Sequence, residues 1–236
     1  MMMLNRRQSI GLIGTTATLV AAAGTGALAE RNLTGKKLII TGHLGNIGAR
    51  MVPYYEKKGL VVVGIDKKDG ASRDLSEPAD RSNWRLDLPG ADTILHLAGV
   101  HDVSQAEVNR NNILATRNLL EAATATGVKR IVFSSSCWVQ PSFYRDDNNS
   151  LLPDRPYGWG KVEQERMVTH WVLDDFTRQA FIIRIGWAPP EGYPHPADWT
   201  DRLYNTTDEL IGYFDHSIYH KPSARYYCVD MVSERR

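Results

Sequence analysis

Tyr157 and Lys161 stand four residues apart, and a serine cluster, Ser134, Ser135 and Ser136, precedes them. Four residues is just over one helical turn, so the phenol and the ammonium would share one helix face. A neighbouring positive charge stabilises a tyrosinate and lowers the phenol pKa, turning a weak acid into a usable proton acceptor near neutrality. A serine hydroxyl beside that pair can orient a substrate oxygen while its proton leaves. The chemistry on offer is therefore proton transfer at a carbinol or carbonyl, with any of the three serines as the orienting hydroxyl. A Tyr-x-x-x-Lys pair alone is equally a surface helix pair, and it gains weight only from what precedes it along the chain.

What precedes it is Thr41-Gly42-His43-Leu44-Gly45-Asn46-Ile47-Gly48, placed where an apolar run ends and a helical pattern begins. Gly42, Gly45 and Gly48 allow the backbone to approach a pyrophosphate, and the N–H groups around Asn46, Ile47 and Gly48, with the helix dipole, favour its negative charge. Asp66 closes the next apolar run 18 residues beyond Gly48, close to the ~20 expected of a carboxylate that binds a ribose. The plainer account of Asp66 is a strand-terminal turn residue. An acid here accepts a bond from a 2′ hydroxyl and repels a 2′ phosphate, which favours NAD over NADP; Lys67 and Lys68 keep NADP as the alternative.

These residues need elements to hold them. Apolar, β-branched runs at Lys36–Thr41, Leu60–Ile65, Thr93–Leu97, Arg130–Phe133 and Ala180–Ile185 read as buried strands. Amphipathic stretches at about 46–58, 105–126 and 158–173 read as the helices between them. Lys67 to about Pro89 is polar with little strand character. Alternation of this kind implies βαβ units and a parallel sheet covered on both faces, an α/β doubly wound fold. Beyond Gly186 the chain turns loop-rich, with a helix expected at about 207–216 and a strand at 225–229, and we read it as a short substrate cap.

Composition bounds the rest. The 236 residues are 42% hydrophobic, and 28 basic side chains balance 27 acidic ones. That excludes a disordered chain and supplies no electrostatic footprint for nucleic acid or anionic lipid. Cys137 and Cys228 are too few for a disulfide framework or a cysteine zinc site, and they are either paired or free. His96 reads as a packed strand histidine, with no companion ligands at metal spacing; His195, His216 and His220 are scattered, and no metal is expected. Arg6 and Arg7, an uncharged stretch from Ile10 and the Ala27-Leu28-Ala29 ending resemble a twin-arginine export signal over residues 1–29. Cleavage there would leave 207 residues with no integral membrane segment, periplasmic or exported; the alternative is an uncleaved leader or anchor, with the chain cytoplasmic if the leader does not function.

Taken in chain order, the motifs resemble those of the extended short-chain dehydrogenases/reductases, the NAD-dependent epimerase/dehydratase group. They are Thr41-Gly42-x-x-Gly45-x-x-Gly48, Asp74-Leu75, His96-Leu97-Ala98-Gly99, Asn112-Ile113-Leu114-Ala115-Thr116, Ser134-Ser135-Ser136, Tyr157 and Lys161. The resemblance implies a Rossmann-type domain over residues 30–236 in which Asp74 and Leu75 flank the adenine. Asp87-Leu88 is a rival that leaves too little chain before the His96 strand. It further implies that Leu97, Ala98 and Gly99 pass under the nicotinamide ribose, that Asn112 sits behind the active site, and that Ile185 joins the cofactor-binding set. Tyr157 would be the base, Lys161 would depress its pKa and hold the ribose, and Ser136 would orient the substrate. Arg184-Ile185-Gly186 with Pro189, Pro190 and Glu191 is similar to a segment of the uronate dehydrogenases, although the following loop carries no arginine and Cys137-Trp138 replaces their Asn-His. The activity implied is hydride transfer at a sugar- or polyol-like hydroxyl, with an epimerase/dehydratase or a noncatalytic NAD-binding protein as alternatives. By the same resemblance, the helices near 105–126 and 158–173 would pair in a homodimer.

Overall fold

Strand β1 (Lys37–Thr41) buries Leu38, Ile39 and Ile40 completely, because both faces of the sheet around it are covered. The computed structural model describes residues 30–101, 104–140, 153, 155–194, 203–220 and 224–231. Around β1 lie β2 (Val61–Ile65), β3 (Ala91–His96), β4 (Arg130–Ser136), β5 (Gln179–Ile185) and β6 (Tyr226–Met231). All pair in parallel, in the order β2-β1-β3-β4-β5-β6. The order reverses between β1 and β3, so the chain leaves these two neighbouring strands in opposite directions and opens a crevice at their carboxyl ends.

Helices α1 (Gly48–Lys57), α2 (Ala106–Thr126), α3 (Pro156–Leu173) and α4 (Thr207–Tyr219) cover the sheet. On one face Ile39, Ile94, Ile131, Phe133 and Ile182 pack against Leu119 and Ala123 of α2 and Val168 and Trp171 of α3. On the other, Leu38, Ile40, Val132, Phe181 and Ile183 meet Met51 and Tyr55 of α1 and Leu210 and Phe214 of α4. Strand residues alternate between the two clusters, so each run must be apolar throughout. This is the Rossmann-type doubly wound sheet expected. Local signals set the helix ends: Gly127, with φ 77°, ends α2; Pro156 occupies the first turn of α3; a Thr206–Glu209 capping box starts α4.

Two segments add detail to the sequence reading. Between β2 and β3 the chain makes short 3-10 turns, Lys67–Asp69, Ala71–Arg73, Ala79–Arg81 and Trp84–Asp87. Leu75, Trp84 and Leu88 drop from them into the core that a crossover helix would otherwise fill. The segment read as a cap divides: residues 187–194 border the crevice, whereas α4 covers the sheet and β6 extends it. The leader at 1–29 and His195 lie outside the described residues. Cys137 and Cys228 are free thiols.

Candidate active site

Gly42 follows β1 with φ 72°, and a Cβ there would lie 2.8 Å from the backbone of Ala98, which follows β3. Only glycine lets the two strand ends run so close. Gly48 opens α1, where a Cβ would meet the Gly42 carbonyl oxygen at 2.3 Å. The turn is thus folded back onto the helix start. No side chain caps α1, which leaves its positive end to an anionic ligand. The Asn46 amide reaches across the mouth to donate to the Ala188 carbonyl at 2.7 Å.

Asp66 accepts from the Leu44 N–H at 3.2 Å and from the Lys68 N–H at 2.9 Å. It is therefore both a turn residue and a cleft residue: the carboxylate ties the glycine turn to the end of β2 and keeps lone pairs for a ligand hydroxyl. Asp74 accepts from the Ser76 N–H and hydroxyl, both at 2.8 Å, and lines the same cleft with Leu75. Asp87 is instead paired at 2.5 Å with Arg73, which lines the cleft where Asp87 does not. Asn112 holds both backbone polar groups of Val100, each at 2.9 Å, and so pins the loop carrying Leu97, Ala98 and Gly99.

Clefts of about 420 and 840 Å³ share Gly42, Gly45, Leu97, Gly99 and His101, and so form one crevice along the strand ends. Asp66, Asp74 and Leu75 line one half; Ser136, Tyr157, Lys161 and Ile185 line the other. An elongated crevice at a switch point, with an acid at one end and a glycine-lined backbone floor in the middle, fits a dinucleotide. Asp66 would hold the adenosine ribose, the start of α1 the pyrophosphate and Lys161 the second ribose.

At the other end, Ser136 and the buried Tyr157 stand together in the lining of the larger cleft. Burial pushes the phenol well above its ordinary pKa, and the neighbouring Ser136 hydroxyl opposes this. Tyr157 is therefore protonated here, a proton donor until positive charge comes nearer. Lys161 is buried one turn along, 5.8 Å from the Tyr157 ring centroid, and donates to the Ser134 carbonyl at 2.8 Å. Burial brings its pKa down to about 8 while Glu165 opposes the fall, so at neutrality it keeps most of its charge. His101, which the sequence reading passed over, lines both clefts and sets its ring edge-on to Tyr157 at 5.0 Å. Trp138 and Trp187 line the larger cleft, and Trp187 is braced by the edges of Tyr193 and Tyr204 at 5.2 and 5.9 Å. Trp159 is 46% exposed and stands off the lining.

His96 is a buried strand histidine, as read. Its Nδ1 lies 2.6 Å from the Thr41 hydroxyl and its Nε2 3.0 Å from that of Thr116. Thr116 donates its proton to Gln164 or the Asn112 carbonyl, so Nε2 is the protonated nitrogen of a neutral ring. Burial, then the Lys161 charge, lowers its pKa to about 3 from 6.5. Between those values the unfolded chain binds a proton that the folded protein refuses, so stability falls as pH falls through that window. The expected slope is about 1.4 kcal/mol per pH unit for this one site. Urea unfolding at pH 7, 5.5 and 4 should show that slope, and a His96→Asn variant should lack its share of it.

Known proteins complete this picture. The NAD dependent epimerase/dehydratase family profile matches residues 38–186. A uronate dehydrogenase of Agrobacterium fabrum is 30% identical over 169 residues, 66% of this chain and 63% of that protein. A UDP-glucose 4-epimerase of Halalkalibacterium halodurans is 27% identical over 165 residues, 62% of this chain and 49% of that one. The chain thus spans about half to two-thirds of the length of these curated relatives. The crystal structure of uronate dehydrogenase from Agrobacterium tumefaciens superposes with a TM-score of 0.67 at 25% identity, over 85% of this chain and 77% of that one. With a profile matching more than half of its residues and a switch-point crevice built from the matched motifs, the chain belongs to the NAD dependent epimerase/dehydratase family.

Proposed function

We propose that this chain is an NAD-dependent dehydrogenase acting on a sugar- or polyol-like hydroxyl. The observation that carries the reading is the convergence of Ser136, Tyr157 and Lys161 in one lining, at one end of a crevice whose other end holds Asp66. Bound NAD supplies the hydride acceptor. Ser136 orients the substrate oxygen, and Tyr157 takes its proton in oxidation or returns it in reduction. Lys161, charged below pH about 8, favours the tyrosinate when base duty is required. Trp187 and Trp138 offer flat faces to a ring substrate. The second reading, an epimerase that oxidises and re-reduces with no net cofactor use, is favoured by the UDP-glucose 4-epimerase relatives. The test is initial rates at 340 nm for uronates, aldoses and polyols, with NAD and NADP in parallel. Net reduction of NAD by one class supports the dehydrogenase; product without NADH supports the epimerase.

Asp66 sets the cofactor preference in this reading. Removing its charge-assisted bond, worth about 1.5–3 kcal/mol, should weaken NADH binding by roughly 10–100-fold in Asp66→Ser and narrow the gap to NADPH. Fluorescence titration with both nucleotides measures this, and an unchanged ratio would remove Asp66 from the role. Export belongs to the same proposal: the leader at 1–29 would be removed after Ala29, and the mass of the secreted chain tests it. Pairing of two copies through α2 and α3 is read by sedimentation of the purified protein.

A further inference from the structure

Arg184 of β5 stands in register with Ser135 of β4 on one side and Asp230 of β6 on the other. Its guanidinium makes a two-pronged bond to Glu165 of α3, Nε to Oε1 at 2.8 Å and Nη2 to Oε2 at 2.7 Å. The same Oε1 accepts the Ser135 hydroxyl at 2.5 Å. On the other side, Arg184 Nη1 lies 3.6 Å from Asp230 Oδ1. Ser135 and Gln140 flank Ser136 and its following turn, and Glu165 lies one turn beyond Lys161, itself one turn beyond Tyr157.

One guanidinium therefore gathers two carboxylates, and the Glu165 carboxylate also holds Ser135, the residue before Ser136. The Glu165 and Arg184 side chains are only 12% and 20% exposed. An ion pair so far from water contributes little net stability over an apolar pair of the same size. What it supplies is direction, because a two-pronged bond fixes angle as well as distance. The seam it crosses, between the end of β4 and helix α3, is the seam across which Ser136 meets Tyr157. Catalytic groups misplaced by about 1 Å lose on the order of 10²-fold in rate.

Resting on the dehydrogenase reading above, we propose that Glu165 and Arg184 are positioning residues, a brace that sets Ser136 against Tyr157 and Lys161 across the β4–α3 seam. The test compares wild type, Glu165→Ala and Glu165→Gln, with NADH as the probe ligand. Glu165→Ala should lower kcat by roughly 10–100-fold while KM and the NADH dissociation constant stay within about threefold. Glu165→Gln, whose amide oxygen still accepts from Ser135 and Arg184 Nε while the second prong is lost, should recover part of that loss. Amide hydrogen exchange of the NADH-bound protein should accelerate in peptides covering 134–140 and 156–161 of Glu165→Ala. Wild-type kcat in a folded Glu165→Ala overturns the brace, as does a kcat loss that Glu165→Gln fails to recover. If wild type turns over no substrate, the dehydrogenase reading fails, and exchange alone decides: acceleration upholds the brace and wild-type protection overturns it. Should Glu165→Ala not fold, Ser135→Ala severs the same tie and its exchange is read in the same way.

Discussion

Tyr157→Phe is expected to lower turnover by about 10²–10⁴-fold, the range of a lost general acid or base, with NADH affinity held within about threefold. The substitution deletes one hydroxyl and keeps the ring that meets His101 edge-on at 5.0 Å. The phenol is buried against Ser136, with Lys161 charged one turn away. Cys137, the other titrating group beside Ser136 in this half of the crevice, is a thiol whose pKa burial raises to about 12. Steady-state rates in both directions, alongside NADH fluorescence, separate lost chemistry from lost binding. Near-normal turnover would remove Tyr157 from the mechanism.

Gly48→Ala should act on the other half of the crevice and should fail at binding before chemistry. The new methyl carbon would lie 2.3 Å from the Gly42 carbonyl oxygen and 2.6 Å from His43 Cα, both backbone atoms that cannot swing aside. The glycine turn must open, which moves the start of α1 away from where a pyrophosphate would lie. A loss of NADH affinity on the order of 100-fold or more is expected, with a destabilisation of about 1–3 kcal/mol from local overpacking. Calorimetric titration and thermal unfolding measure the two effects. Unimpaired NADH binding would place the pyrophosphate elsewhere.

Much of the fold was legible because a sheet covered on both faces writes itself as uninterrupted apolar runs, as at Leu38-Ile39-Ile40 and Phe181-Ile182-Ile183. The glycine turn was legible for a related reason: Gly42 and Gly48 are required by side-chain size, which sequence records directly. The sheet role of the C-terminal segment was harder to read, because β6 is an edge strand of mixed burial that follows a proline-rich loop. Harder still were partners that are backbone atoms or arise from register. The Lys161 hydrogen bond goes to the Ser134 carbonyl, which any residue would supply. Arg184 meets Glu165 only because β5 lies beside β4 under α3. Glu165 follows Lys161 by four residues, and the partner that gives it a role stands 19 residues further on. The expected depression of the Tyr157 pKa also depends on distance: with Lys161 turned to Ser134, burial dominates and the phenol is raised.

The most direct measurement is the stoichiometry of cofactor reduction. The best substrate from the panel is incubated with excess NAD, and NADH formed at 340 nm is compared with substrate consumed by chromatography. The dehydrogenase reading predicts one NADH for each molecule oxidised, abolished in Tyr157→Phe. Substrate converted to an isomer or dehydrated product with no net NADH would contradict it.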